Sequence, residues 1–171
     1  EFLIDRLKNY MKEKGIRQDI IEAAILSCNI DQILKIYNKA TVLNKLISKE
    51  IGKDIISSYR RASNILSSEL KNELIKLDHS ADPGLFKNDY EKNLYTKIQE
   101  IRKYFTRVNR DENYENSLNI LASAKKEISD FFDNVIVNDE DEFVKKNRLE
   151  LLQMLCKTFD NYINFSSVER L

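Results

Sequence analysis

The sequence predicts an all-α fold, a helical bundle of about seven to nine helices, in a single domain. The chain of 171 residues contains only three glycines and one proline. Sandwiches, barrels and doubly wound sheets need many tight turns and use far more of both residues. Apolar residues make up 42% of the chain, which excludes a disordered chain. They recur every three or four positions, the period of one buried helix face.

The first half contains four predicted helices and a shorter fifth. The first begins at once with the inward stripe Leu3, Leu7, Tyr10 and Met11 and ends at Gly15, as helices do before a C′ glycine. Because this helix begins in mid-pattern, we expect the chain to be a fragment of a longer one. The later helices are predicted over 16–27, from an N-cap at Asp31 to about 47, over about 53–66 and over 67–77. Their predicted inward residues are Ile20, Ile21, Ala24, Ile25, Ile33, Leu34, Ile36, Tyr37, Ala40, Leu43, Ile47, Ile55, Ile56, Tyr59, Ala62 and Leu66.

The second half follows a turn-like segment, residues 78–88, which is the candidate for a subdomain seam. A helix capped by Asn88 or Asp89 is predicted to about residue 108. Another begins at Glu112 or Asn113 and ends in an extended tail at 135–137. The acidic run 138–142 is predicted to be a solvated loop whose charges favour the start of a last helix, about 142–161. The predicted inward residues are Leu94, Ile98, Ile101, Phe105, Val108, Tyr114, Leu118, Leu121, Ala122, Ile128, Phe132, Leu149, Leu152, Leu155, Cys156 and Phe159.

The net charge of zero hides an asymmetry between the two halves. Residues 1–77 carry 14 basic and 10 acidic side chains, and residues 78–171 carry 14 and 18. Within the second half Lys103, Arg107 and Arg110 share one helix face, and Tyr104 borders it. Such a face suits RNA, because cations bind phosphates and rings stack on unpaired bases. Such a stripe is more often an ordinary solvated helix surface.

Composition also limits the chemistry. The chain has one histidine, His79, no tryptophan, and two distant cysteines, Cys28 and Cys156, which we expect to be buried free thiols. These residues cannot supply a zinc site, and the isolated glycines cannot form a phosphate-binding loop. A serine triad would have to use His79 beside Asp82. We therefore expect a helical binding or structural module without its own active site. The two unpaired cysteines favour an intracellular compartment. No apolar run has the length of a membrane span, so we expect no membrane partner.

Two segments are more specific than periodicity. Residues 59–66 read YRRASNIL, and residues 131–137 read FFDNVIV, followed by Asp141 and by NRLELL at 147–152. The second set resembles the signature of the DALR-type anticodon-binding domain, which arginyl-tRNA synthetases share with the β subunit of bacterial glycyl-tRNA synthetases. The first is similar to a stretch of the glycyl β subunit, as are the opening DRL and the ending FSS. The likeness covers nearly the whole chain and identifies it as resembling the C-terminal domain of that subunit.

The resemblance implies a function. A domain of this family holds the anticodon stem-loop of glycine tRNA, while the α subunit of the parent enzyme carries the active site for ATP-dependent ligation. The implied partners are glycine tRNA, the rest of the β subunit and the α subunit, in the cytoplasm. ATP and Mg²⁺ would bind elsewhere in the parent enzyme, so neither a cofactor nor a catalytic residue is expected in this chain. It would still be part of an aminoacyl-tRNA ligase.

The candidate RNA contacts follow from the chemistry of the glycine anticodon, whose two cytosines offer an amino donor and two acceptors. Arg60, Arg61 and Asn64 place donors and an amide carbonyl on one helix face, and Lys53 on the same face would bind phosphates. Alternatively, one of the two arginines pairs with an acid of a neighbouring helix. The other candidate cations are Lys145, Lys146, Lys103, Arg107 and Arg110.

The remaining signature residues are expected to be mainly structural. Asp133, at the end of one helix, and Arg148, early in the next, are predicted to pair and hold the loop 134–142. The other members of this structural set are Phe132, Val135, Val137, Asn147 and Leu149.

Three alternatives stay open at this point. The chain could be a helical protein-interaction module without an RNA role. It could be the equivalent domain of an arginyl-tRNA synthetase, although the YRRASNIL stretch favours the glycyl subunit. An independent hydrolase would need His79 as its base.

Overall fold

The computed structural model describes residues 2–71, 77, 80–107 and 113–169. Within these ranges the chain forms eight α-helices and two short 3-10 turns, and no residue is in a strand, so the predicted all-α class is confirmed. The helices are α1 (Phe2–Glu13), α2 (Gln18–Leu26), α3 (Ile33–Ile47), α4 (Glu50–Leu70), α5 (Asp89–Arg107), α6 (Tyr114–Ala122), α7 (Lys125–Asn134) and α8 (Glu142–Asp160). The 3-10 turns lie at Pro83–Leu85 and Phe165–Ser167.

Local sequence signals explain where several helices begin and end. The Asn113 side chain accepts a hydrogen bond from Asn116 N at the start of α6, and Asp141 accepts from Phe143 N at the start of α8. Gly15 has a φ of 77°, which confirms it as the residue that ends α1. Asp31, however, caps no helix. The residue before α3 is Gln32, and its side chain makes no capping bond.

Two predicted helix boundaries are wrong. Helix α4 begins at Glu50 and continues to Leu70, so it absorbs the start of the helix predicted over 67–77, of which 72–76 lie outside the described residues. The helix predicted from 113 onward is two helices. Ser123 ends α6, and its hydroxyl donates to Ile120 O, a local bond that competes with helix continuation. Four residues used in the predictions, His79, Val108, Arg110 and Glu112, also lie outside the described residues.

Helix α8 lies at the centre of the bundle. It packs against α4 and α5, and α4 in turn contacts α3, α6 and α7, so one continuous core joins the first and second halves of the chain. Near the start of α8, Asn147 accepts from Asp82 N at 2.7 Å and donates to Asp82 O at 3.0 Å, which ties the segment after residue 80 to the bundle. The subdomain seam over 78–88 stays a prediction.

Glycine is required at the junction of α3 and α4. A Cβ on Gly52 would lie 2.6 Å from the Ile47 Cα and would also collide with the Leu46 carbonyl. The first turn of α4 therefore packs directly on the backbone of the last turn of α3. This close contact fixes the angle between the two helices.

Several residues predicted to face inward are not buried. Leu3 is 64% exposed, Tyr10 47% and Leu34 68%, although Met11 and Ile36 on the same helices are fully buried. In the FFD segment the core residue is Phe131, which is fully buried, whereas Phe132 is half-buried. Periodicity identifies the apolar side of a helix, but only packing decides which of its residues another element covers.

Candidate nucleic-acid interface

Helices α4 and α7 lie side by side with the same direction. Lys125, at the start of α7, forms an ion pair with Asp54 at 2.8 Å. The hydrogen bond to the Asp54 carboxylate and its negative charge raise the pKa of Lys125. Seven residues further along both helices, about two turns, Arg61 lies over the ring of Phe132. These two contacts join α4 to α7 and place Arg61 beside the end of α7.

Arg61 packs on an aromatic ring and is still exposed. Its guanidinium carbon lies 4.4 Å from the centroid of the Phe132 ring, and its Nη1 is 3.8 Å from an Asp133 carboxylate oxygen. The Arg61 side chain is nonetheless 53% exposed. A guanidinium that rests on an aromatic ring presents a flat, cationic surface, which suits the stacking of an unpaired base.

Arg60 has a different environment from its neighbour. Its Nη2 donates to the Val168 carbonyl, and its Nε is buried with no hydrogen-bond partner among the described residues. The segment around Val168 is also fixed by Asp19, whose carboxylate accepts from Glu169 N at 2.7 Å. Arg60 therefore fastens the C-terminal segment to α4, and the structure does not bring it together with Arg61.

Lys53 and Asn64 share the exposed face of α4 with Arg61. Both side chains are exposed, and within the described ranges neither forms an ion pair or a hydrogen bond. We call Lys53, Arg61 and Asn64, with Phe132 beneath Arg61, the α4 face. It presents two cations, an amide and an aromatic ring along one helix.

Lys145 and Lys146, near the start of α8, are both engaged in ion pairs. Lys145 lies 2.8 Å from Glu69 and is only 15% exposed, so it joins the start of α8 to the end of α4. Lys146 lies 3.8 Å from Glu150, one helical turn away. Lys145 in particular would have to leave a half-buried pair to bind a phosphate.

The second predicted basic surface lies on α5, which packs on α6, α7 and α8. Lys103 and Arg107 are exposed, and Arg110 lies outside the described residues. Tyr104, which borders this face, is half-buried, and its hydroxyl accepts from Asn116 Nδ2 at 3.0 Å, which joins α5 to α6.

Arg148 is the centre of a buried polar network. Its Nε donates to Glu91 Oε1 at 2.5 Å, and its Nη1 donates to Ile136 O at 2.8 Å and to Asp139 Oδ2 at 2.6 Å. Arg148 is 6% exposed and Glu91 1%. The network therefore holds the loop between α7 and α8 against the start of α5.

The prediction that Arg148 pairs with Asp133 is therefore wrong, although Arg148 does hold the predicted loop. Asp133 is 67% exposed and faces Arg61, while Asp139, inside the loop, takes the expected place. The Asp141 backbone N–H and then the Arg148 guanidinium lower the pKa of Asp139. The other signature residues, Val135, Val137, Asn147 and Leu149, are buried.

Sequence reasoning missed Glu91. Its Oε2 accepts from Lys87 N at 2.6 Å and from Asn88 N at 3.1 Å, while Glu91 N donates to the Asn88 side chain. This reciprocal arrangement is a capping box, and the three-residue spacing between Asn88 and Glu91 was a visible signal for it. The sequence carries no signal that the other oxygen of Glu91 binds Arg148.

The arrangement on α4 and α7 places an exposed guanidinium on an aromatic ring at the surface of a helical bundle, which is a chemistry suited to RNA. In the parts of the chain that the structure describes, no group of three or more histidine, cysteine, aspartate or glutamate side chains could hold a metal ion. No described helix is both long and apolar enough to cross a membrane.

Comparison with known families matches residues 55–170 to the DALR anticodon binding domain. The chain belongs to this family. It is also similar to proteins named glycine–tRNA ligase β subunit. It is 32% identical over 165 residues to that of Rickettsia typhi, which covers 96% of this chain and 23% of the relative.

Two further β subunits give the same result. Identity is 35% over 166 residues to the subunit of Rickettsia bellii strain OSU 85-389, which covers 96% of this chain and 23% of the relative. Identity to the subunit of Rickettsia prowazekii is 36% over 127 residues, which covers 74% of this chain and 18% of the relative. The chain thus spans about a quarter or less of the length of the curated relatives it matches. These matches favour the glycyl over the arginyl alternative.

Proposed function

We propose that this domain binds the anticodon stem-loop of a glycine tRNA through the α4 face, as part of a glycine–tRNA ligase. The observation that carries the proposal is the exposed Arg61 guanidinium fixed on Phe132, within a family whose domain binds anticodons. Lys53 would neutralise a phosphate, and Asn64 would offer both a donor and an acceptor to a cytosine edge.

The wider role belongs to the same proposal. The relatives are named glycine–tRNA ligase β subunit, which supports a place for this chain in such a subunit. The proposal extends to a cytoplasmic enzyme whose α subunit and whose ATP and Mg²⁺ site lie outside these residues. In this arrangement the chain contributes tRNA binding, and the chemistry of ligation takes place elsewhere in the enzyme.

Arg60 and Arg61 have different parts in this proposal. Arg61 would contact the RNA directly. Arg60 holds the C-terminal segment, so its loss would act on the stability of the fold rather than on recognition. The two neighbouring residues therefore serve as a matched pair of test positions.

The test compares the affinity of Arg61→Ala, Arg61→Lys and Arg60→Ala variants for glycine tRNA at physiological salt. If a base stacks on the guanidinium plane, Arg61→Ala weakens binding by about 1–3 kcal/mol. Arg61→Lys recovers little of this loss, because an ammonium lacks the plane. Lys12 is an exposed side chain on α1, so Lys12→Ala controls for the loss of one positive charge.

The outcomes separate the alternatives. Weaker binding in both Arg61 variants with an unchanged melting temperature supports the proposal. Full affinity in Arg61→Lys would indicate a phosphate contact instead of stacking. Unchanged affinity in Arg61→Ala would remove this residue from the interface and contradict the proposed site.

A further inference from the structure

An apolar surface lies at the end of the bundle formed by α1, the segment after α2 and the start of α3. Its large exposed side chains are Leu3, Tyr10, Ile30 and Leu34; Ile30 is 66% exposed and Leu34 68%. We call it the α1–α3 surface. Three shallow depressions lie along it and share lining residues, among them Leu3, Leu7 and Ile33, which join them into one surface.

The sequence pattern of this surface is that of a buried helix face. Leu3, Tyr10 and Leu34 lie at the spacings from which burial is predicted, yet no described element covers them. Exposed apolar area of this extent is typical of interaction sites. The charged residues at its edge are of both signs, Arg6 and Lys35 beside Glu13 and Asp31. A mixed edge around an apolar centre suits a protein surface better than a phosphate backbone.

The position of the surface in the sequence indicates its occupant. All of its residues precede residue 55, so they lie outside the match to the DALR anticodon binding domain. They lie within the 96% of the chain that matches glycine–tRNA ligase β subunits. Those relatives contain roughly three quarters of their length beyond the match, since the matched part is 23% of each.

We propose that the α1–α3 surface is the docking site for the remainder of a glycine–tRNA ligase β subunit, the part that lies outside these 171 residues. This inference rests on the proposed function in one respect, namely that the chain works within such a subunit. The DALR part would then face the tRNA, while the preceding helices hold the domain on the body of the enzyme.

The test uses the complete β-subunit polypeptide in which this chain is expected to reside, alongside the 171-residue chain. Amide hydrogen exchange is measured over α1 and the start of α3 in both. Alkylation of Cys28, a half-buried free thiol that lines one of the depressions, gives an independent reading. We expect at least tenfold slower exchange and slower alkylation in the complete subunit.

Variants make the result specific. Leu3→Glu combined with Leu34→Glu changes two exposed positions and should leave the melting temperature of the 171-residue chain unchanged. In the complete subunit the same pair should abolish the protection. Ile136→Glu is the matched control, because Ile136 is 77% exposed on the loop after α7 and should leave the protection intact.

Three results would overturn the proposal. Equal exchange in the two polypeptides would show that nothing in the subunit covers the surface. Protection that appears in the 171-residue chain as its concentration rises would assign the surface to a second copy. Protection that appears only with tRNA would assign it to RNA. Failure of the proposed function would give a different result. The domain would not bind glycine tRNA, but the protection in the complete subunit would still be observed.

Discussion

Replacement of Arg148 by alanine should destabilise the fold more than any substitution on the α4 face. The change removes hydrogen bonds to Glu91, to the Ile136 carbonyl and to Asp139. It leaves the carboxylate of Glu91, which is 1% exposed, without its cation. Breaking a buried ion pair from one side costs about 3–5 kcal/mol.

The contacts that remain in the Arg148→Ala variant narrow the expected loss of unfolding free energy. Glu91 keeps its bonds from Lys87 N and Asn88 N, which offset part of the penalty. The Ile136 carbonyl loses its donor, a loss of about 1 kcal/mol. We therefore expect a total loss of about 3–4 kcal/mol, a large fraction of the roughly 5–15 kcal/mol by which a domain is stable.

The assay is urea unfolding followed by circular dichroism, with a double-mutant cycle between Arg148→Ala and Glu91→Gln. The two residues should couple by more than about 1 kcal/mol, because they share one buried interaction. Asp139→Asn, which touches the exposed end of the network, should have the smallest effect. A loss below about 1 kcal/mol for Arg148→Ala, or additive effects in the cycle, would refute the account of a buried network.

Three further predictions concern other parts of the fold. Gly52→Ala should lower the free energy of unfolding by about 1–3 kcal/mol, because the new Cβ would collide with the α3 backbone. The control Ser57→Ala, on the exposed side of α4, should change it by less than about 0.5 kcal/mol. Equal stability of the Gly52→Ala and Ser57→Ala variants would contradict the close contact between the helices. Because the pKa of Asp139 is lowered in the folded state, its carboxylate contributes stability above the ordinary aspartate pKa, and this contribution is lost as the pH falls through the lowered pKa. The difference in unfolding free energy between the unchanged chain and Asp139→Asn should therefore shrink in acid, and a difference that grows would contradict the prediction. Burial raises the pKa of the Cys156 thiol to about 12, so mass spectrometry at pH 8 should find Cys28 alkylated first, and preferential labelling of Cys156 would contradict its burial.

Much of the fold follows from the sequence for a simple physical reason. Helix period, few glycines and the charges and capping residues near helix starts are local properties, so they predicted the helical class and helices that begin near residues 113 and 142. Helix ends were less predictable. Ser123 interrupts a continuous apolar pattern through a bond to its own preceding turn, and nothing in that pattern reveals it.

The site was predictable only in part, because partner choice depends on distant packing. The sequence places Arg60 and Arg61 side by side, yet neighbouring residues on a helix point about 100° apart. One therefore meets the C-terminal segment and the other meets Phe132. Similarly, Arg148 pairs with Glu91, which lies 57 residues earlier in the chain, and not with Asp133, which is closer in sequence.

The most direct test of the central claim is the affinity of this domain for glycine tRNA with and without its anticodon cytosines. Binding is measured at physiological salt, because phosphate contacts alone make affinity strongly salt-dependent and insensitive to sequence. We predict that replacing both cytosines weakens binding by at least about tenfold, or about 1.4 kcal/mol. Equal affinity for the two tRNAs would contradict anticodon recognition by this domain.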